Sequence, residues 1–208
     1  EGKDFFTKEL DAALLQGEVD LVVHSYKDLG SERPKGIELA TITQRNYAHD
    51  ILLIKNETIE KLKNKELKKF VVGTSSPRRM ANISRFLAEY LPYGNEVGLE
   101  VECSPLRGNV NTRLEKLIEG NFDAIVLALP GIERLAQGLP DKNNEAFDKF
   151  GDPRVILEGL LKELNFMILP LSEFPAAASQ GALGIECLEG RSDNGELLQK
   201  LRSLTCKT

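Results

Sequence analysis

Tryptophan is absent from this chain, methionine and histidine occur twice each, and cysteine occurs three times in 208 residues. Each scarcity closes off a class of chemistry. Cys103, Cys187 and Cys206 stand far apart and form neither a paired disulfide framework nor a C-x-x-C metal knuckle, so a reducing cytoplasm is expected. His24 reads as a hydrogen-bonded residue near a strand end and His49 as a surface loop residue; no metal site is expected from them. The apolar runs are far too short for a membrane span, and no charged-then-apolar leader is visible, although the chain begins at Glu1 rather than Met. A net charge of −5 argues against a general nucleic-acid binder, which needs a basic surface. A nucleophile elbow, a P-loop and a dinucleotide fingerprint are also missing. What is left is a globular composition, 41% hydrophobic and 28% charged, with enough length for one large domain or two small α/β ones.

The most informative stretch is residues 19–28, V-D-L-V-V-H-S-Y-K-D. Its first half has the Val content of a strand buried in a sheet, and it then turns abruptly polar. Residues 5–15 before it have near-helical apolar spacing and a stop at Gly17. Helix, turn and strand read as the second half of a β-α-β unit whose first strand is not in this sequence. Further strands are expected at 37–43 and 51–54, followed by a solvated Lys/Glu-rich helix over 58–69.

A recurring arrangement then appears. The strand at 70–73 turns through Gly73, offers Thr74, Ser75 and Ser76, and enters a helix headed by Pro77 and followed by Arg78 and Arg79. The strand at 99–103 leads to Arg107 and Arg113, which bracket a Gly-Asn turn before a helix through 114–118. The strand at 122–129 is followed by Arg134. Alone, any of these is a capped helix with a surface arginine. Five arginines at successive strand-to-helix junctions gather on one sheet edge and suit a polyanion, because guanidinium forks match carboxylates. Asp28, at a strand tip, could stabilise a cation or shuttle a proton, and Lys27 could bind a further carboxylate or tune Asp28. Residues 136–174 read as a fold-specific insertion, with a helix at 155–164 and a strand or packed connector at 166–171. A small-residue turn around Gln180 and Gly181 precedes another strand, and a short helix is expected at 194–204.

Four motifs, H-S-Y-K-D at 24–28, G-T-S-S-P-R-R at 73–79, L-R-G-N-V-N-T-R-L at 106–114 and Q-G-A-L-G-I-E at 180–186, resemble the porphobilinogen deaminase (hydroxymethylbilane synthase) family in order and spacing. The resemblance implies an α/β fold of two periplasmic-binding-protein-like domains with mixed sheets around a central cleft. It implies a cytoplasmic, monomeric transferase that joins four porphobilinogen molecules head to tail with loss of ammonia, on a covalently held dipyrromethane cofactor, and has no nucleic-acid or membrane partner. By the same resemblance Asp28 is the catalytic carboxylate. Ser25, Lys27, Thr74, Ser75, Ser76, Arg78, Arg79, Arg107, Arg113 and Gln180 are binding residues for cofactor or substrate, and Arg134 and Lys3 are further basic cleft positions.

The family's first strand, its arginine-bearing loop and its Gly-Gly-Cys loop have no counterpart here. Cys206, in L-T-C-K-T, does not resemble that loop, so the attachment cysteine is expected in a C-terminal domain outside this sequence. Other departures are Gly30, His49 and Ser179 at positions where the family usually has other residues. Residues 1–44 with 175–208 are expected to form one domain, and 49–172 a second that contains the 136–174 insertion. The alternative from a different class is a two-domain module that holds a small anion without chemistry.

Overall fold

The computed structural model describes residues 5–30, 32–94, 98–137, 161–190 and the isolated positions 158, 159, 196, 199–201 and 203. Lys3, Cys206, residues 155–157 and 160 of the helix expected at 155–164, and most of that at 194–204 lie outside the described residues. The elements in chain order are α1 Phe5–Leu15, β1 Val22–Ser25, β2 Ile37–Ile42, β3 Asp50–Lys55, α2 Asn56–Lys63, β4 Lys69–Gly73, α3 Pro77–Tyr90, β5 Glu100–Ser104, α4 Val110–Ile118, β6 Ala124–Ala128, α5 Leu129–Ala136, β7 Leu164–Ile168 and β8 Leu183–Leu188. They fall into two compact units, one made of Glu1–Ala48 and Ala177–Thr208, the other of His49–Ala176.

In the first unit β8 lies between β1 and β2 and pairs antiparallel with both. Leu14 of α1, Val22 of β1 and Ile37 of β2 form its small core. The strand expected over 19–23 therefore starts three residues later and is not buried on both sides: Val22 is 5% exposed but Val23 is 55% exposed. Consecutive valines hid a period-2 pattern with one wet face. Beyond Ser25 the chain tightens into a 3-10 turn, Tyr26–Asp28.

The second unit is a three-layer α/β structure on a five-stranded sheet ordered β5-β4-β6-β3-β7. Its central strands read as continuous apolar runs because both faces are covered. Leu52, Ile54, Ala124 and Val126 pack with Ile83, Phe86 and Leu87 of α3 on one face. Ile51, Leu53, Ile125 and Leu127 pack with Leu114 and Leu117 of α4 and Ile132 of α5 on the other. β4 runs parallel to β5 and β6, whereas β3 is antiparallel to β6 and β7. The carboxyl tips of β4, β5 and β6 thus lie on one edge, joined there by the amino end of β3, where Asp50 is in register with Ala128. α3 leaves β4 toward one face and α4 leaves β5 toward the other, the arrangement that in open α/β sheets places ligands at the strand tips.

Two expectations change. The helix expected over 58–69 stops at Lys63, because Lys65 takes a left-handed φ of 60° and the chain must extend into β4 from Lys69. The stretch read as an insertion contributes an edge strand, β7, that pairs with β3, and its following residues Leu169 and Phe174 are fully buried in the main core.

Candidate active site

In the second unit the tip loops are stitched together before any ligand is considered. The Ser75 hydroxyl donates to the Leu106 carbonyl and accepts from the Leu106 N–H, both at 3.0 Å, tying the β4 loop to the β5 loop. Thr74 is buried, and its Oγ1 accepts from the Ser76 N–H at 3.2 Å. Ser76 takes the N-cap position of α3 without a side-chain capping bond, and Pro77 occupies the first turn. The N–H groups of Arg78 and Arg79 have no intrahelical acceptor there, which favours an anion in front of them.

The five arginines divide into two kinds. Arg79 donates to Asp50 Oδ1 from Nη2 at 2.7 Å and from Nε at 3.2 Å, and from Nη1 to the Val126 carbonyl at 3.0 Å. Arg78 donates to Asp50 Oδ2 at 2.6 Å and to the Pro175 carbonyl. Asp50 is fully buried. It escaped the sequence reading because it stands at the head of an apolar run and its partners are 28 and 29 residues away. Arg113 has no carboxylate within ion-pair distance among the described residues. Its Nε donates to the Gly108 carbonyl at 2.7 Å, and its proton affinity is lowered, first by burial and then by the charge of Arg79. Asn109 caps α4 by accepting from the Thr112 N–H at 2.9 Å, and Gly108, at φ 121°, lets the loop turn. Arg107 and Arg134 are exposed and make no side-chain ion pair with a described residue. Buried Arg79 and half-buried Arg78 share one carboxylate, while three other arginines at the same strand tips have none among the described residues, so this edge has a net positive field.

In the first unit Asp28 ends the 3-10 turn and is exposed. The turn is seated on β8: the Tyr26 N–H donates to the Ala182 carbonyl at 3.0 Å. A Cβ on Gly184 would come within 2.8 Å of Leu29 and 3.1 Å of Tyr26, so glycine lets these side chains lie close on the strand. Lys27 Nζ donates to Gln180 Oε1 at 3.5 Å. Gln180 itself is buried, donates to the Ala48 carbonyl at 2.6 Å and accepts from Arg45 Nε at 2.8 Å through its own carbonyl. It braces Lys27 from behind. Ser25 is half-buried at the end of β1.

Behind this turn is a buried polar group that the sequence reading did not find. Arg33 donates to both oxygens of Glu186 and, at 2.9 Å, to Asp11 Oδ1; His24 Nε2 faces Glu186 Oε2 at 3.3 Å. Burial disfavours the Arg33 charge, but its bond to Glu186 and the charges of Glu186 and Asp11 outweigh that and raise its pKa. Asp11, His24 and Glu186 have the residue types of a metal site, with ligand atoms within 4.8 Å of one another, and the guanidinium already supplies the cation. His24 is accordingly near a strand end as expected, with a carboxylate neighbour, whereas His49 is half-buried rather than on the surface and its carbonyl accepts from the Leu129 N–H.

Fold and sites together define an α/β protein with cationic and acidic groups at its strand tips. The chain belongs to the porphobilinogen deaminase family: the family model described as porphobilinogen deaminase, dipyromethane cofactor binding domain, matches residues 1–196. Curated porphobilinogen deaminases are similar to it, among them those of Synechococcus elongatus (34% identical over 206 residues; 97% of this chain, 51% of the relative) and Shouchella clausii (39% over 201 residues; 96% and 52%). The chain spans about half the length of the curated relatives it matches. Among solved structures, a substrate-binding domain of an amino acid ABC transporter from Streptococcus pneumoniae aligns with a TM-score of 0.43 at 15% identity, covering 95% of this chain and 70% of that one. An ancestral arginine-binding protein aligns at 0.38 and 17%, covering 95% and 69%. No helix among the described residues is long and apolar enough to cross a membrane.

Proposed function

We propose that the complete protein is a hydroxymethylbilane synthase, a transferase of tetrapyrrole biosynthesis that condenses four porphobilinogen molecules head to tail and releases one ammonia at each step. The observation that carries the reading is the presence, beside family membership, of Arg107, Arg113 and Arg134 without carboxylate partners among the described residues and of an exposed Asp28 on a fixed turn. Porphobilinogen bears an acetate and a propionate, and a growing chain multiplies them. Guanidinium groups at strand tips, one of them with its charge disfavoured by burial and by Arg79, bind such carboxylates with charge-assisted hydrogen bonds. Arg78 and Arg79 contribute helix N–H donors and hold the loop through Asp50.

The same residues fit dipyrromethane, because it carries the same carboxylate side chains; Thr74, Ser75, Ser76 and the arginines would hold it. Bound, it supplies the free pyrrole carbon on which the product is built. Asp28 has a different task. When the aminomethyl C–N bond of an incoming porphobilinogen breaks and ammonia leaves, positive charge spreads over that pyrrole. A carboxylate accepting from the ring N–H offsets it and favours the departure. Lys27, braced by Gln180, binds a substrate carboxylate next to Asp28, with Ser25 as a neighbouring polar contact. We read the protein as a cytoplasmic monomer acting on small molecules rather than on nucleic acid or membrane, in keeping with its net charge of −5.

The test uses the full-length protein. Intact-mass measurement should show a dipyrromethane adduct, and incubation with porphobilinogen should yield hydroxymethylbilane. A protein with neither, which binds a small oxyanion tightly but not porphobilinogen, would be a solute-binding module instead.

A further inference from the structure

The segment that follows Asp28 is tied down at its start by Leu29, whose N–H donates to Tyr26, and at its end by Pro34, whose carbonyl accepts from Ile37. Between them the described residues Gly30, Glu32 and Arg33 make no backbone-to-backbone hydrogen bond. Glycine at position 30 leaves that stretch without local stiffness. Among the described residues of this stretch, Arg33 supplies the side-chain tie. Arg33 reaches back under the sheet to Glu186 of β8, which is fully buried, and to Asp11 of α1, and the Glu186 carboxylate is faced in turn by His24 of β1. The pairing to Glu186 is two-pronged, which fixes direction as well as distance.

We propose that Arg33 is a positioning residue for Asp28: it pulls the 29–36 segment onto the β1–β8 pair, so that the turn carrying the Asp28 carboxylate is held from both ends. The inference rests on the assignment of Asp28 above. The turn itself is seated on β8 by the Tyr26 N–H bond and by Tyr26 and Leu29 packing beside Gly184. The Asp28 side chain is exposed, so its aim is set by the backbone on either side. Freed at Arg33, the turn keeps its seat on β8 but loses the tether on the chain that leaves it, and its aim drifts. A displacement on the order of 1 Å at a catalytic group costs about a hundredfold in rate. Lysine at this position reaches one carboxylate as a point charge but cannot make the fork, so it restores only part.

The experiment follows amide hydrogen exchange and steady-state porphobilinogen consumption together in the full-length protein, comparing wild type with Arg33→Met, Arg33→Lys and Glu186→Gln. Arg33→Met should speed exchange across residues 26–36 by about tenfold or more against β2 and β8 peptides as reference. It should lower kcat by about ten- to a hundredfold with KM for porphobilinogen little changed, and Arg33→Lys should fall between. Unchanged exchange at 26–36, or faster exchange with unaltered kcat, overturns the proposal. If Arg33→Met does not fold, Glu186→Gln, which loses the charge but keeps the shape, carries the same comparison. A wild type that does not consume porphobilinogen would sink the assigned reaction, while the exchange comparison would still decide whether Arg33 anchors the segment.

Discussion

Asp50 and Arg79 form a buried two-point pair, with Oδ1 accepting from Nη2 at 2.7 Å and from Nε at 3.2 Å. Asp50 begins β3 and Arg79 sits in the first turn of α3, so the pair fastens the helix that follows one strand tip to the strand that starts beside another. It also separates an arginine that holds the site from those left to meet a ligand.

Replacing Asp50 by Ala should leave Arg79 and Arg78 without their carboxylate and destabilise the protein by about 3–5 kcal/mol, the usual cost of breaking a buried pair. The urea midpoint of unfolding measures it. A midpoint within experimental error of wild type would mean that water reaches and solvates Arg79.

For Arg113 the opposite balance is expected. Its charge is disfavoured by burial and by Arg79. Arg113→Met should therefore leave the melting temperature of the ligand-free protein no lower, yet weaken porphobilinogen binding by about tenfold, or 1.4 kcal/mol. Calorimetric titration against thermal denaturation separates the two. Loss of stability with intact binding would make Arg113 a structural residue.

The fold was legible wherever a periodicity was local. β3 and β6 read as buried runs because Leu52 and Leu53, or Ile125 and Val126, face opposite cores that are both dry. The strand-tip arginines were visible because they follow β4, β5 and β6 within nine residues. Asp50 and Arg33 were not, since nothing near them in sequence announces a partner 29 or 153 residues away. The helix over 58–69 was read too long for a related reason: its Lys/Glu composition continues past Lys63, while the left-handed turn at Lys65 is set by the need to begin β4.

Gly181 has a φ of 98°, and a Cβ there would lie 2.6 Å from the Asn46 carbonyl oxygen. Gly181→Ala is expected to lose about 1–3 kcal/mol through backbone strain and to loosen the bracket around Gln180. Denaturant unfolding checks the first effect. An alanine variant as stable as wild type would show that this turn relaxes freely.

The Cys103 thiol is pushed above the ordinary value near 8.5, by burial first and by the neighbouring Glu102 charge second. In the range between the unfolded and the folded value, the unfolded chain has lost the proton and the folded chain keeps it. That contribution to stability is complete below about pH 8.5 and declines as pH rises toward the folded value. Cys103→Ser should flatten this alkaline decline. Alkylation of Cys103 in the folded protein at pH 8 should be slower than that of a free thiol, and an equal rate would contradict the shift.

The most direct measurement is porphobilinogen turnover by the full-length protein with Asp28 replaced by Ala. Asp28 is exposed, so folding and urea stability should be unchanged, while hydroxymethylbilane formation should fall by at least about a hundredfold. Wild-type turnover in a folded Asp28→Ala protein would contradict the account.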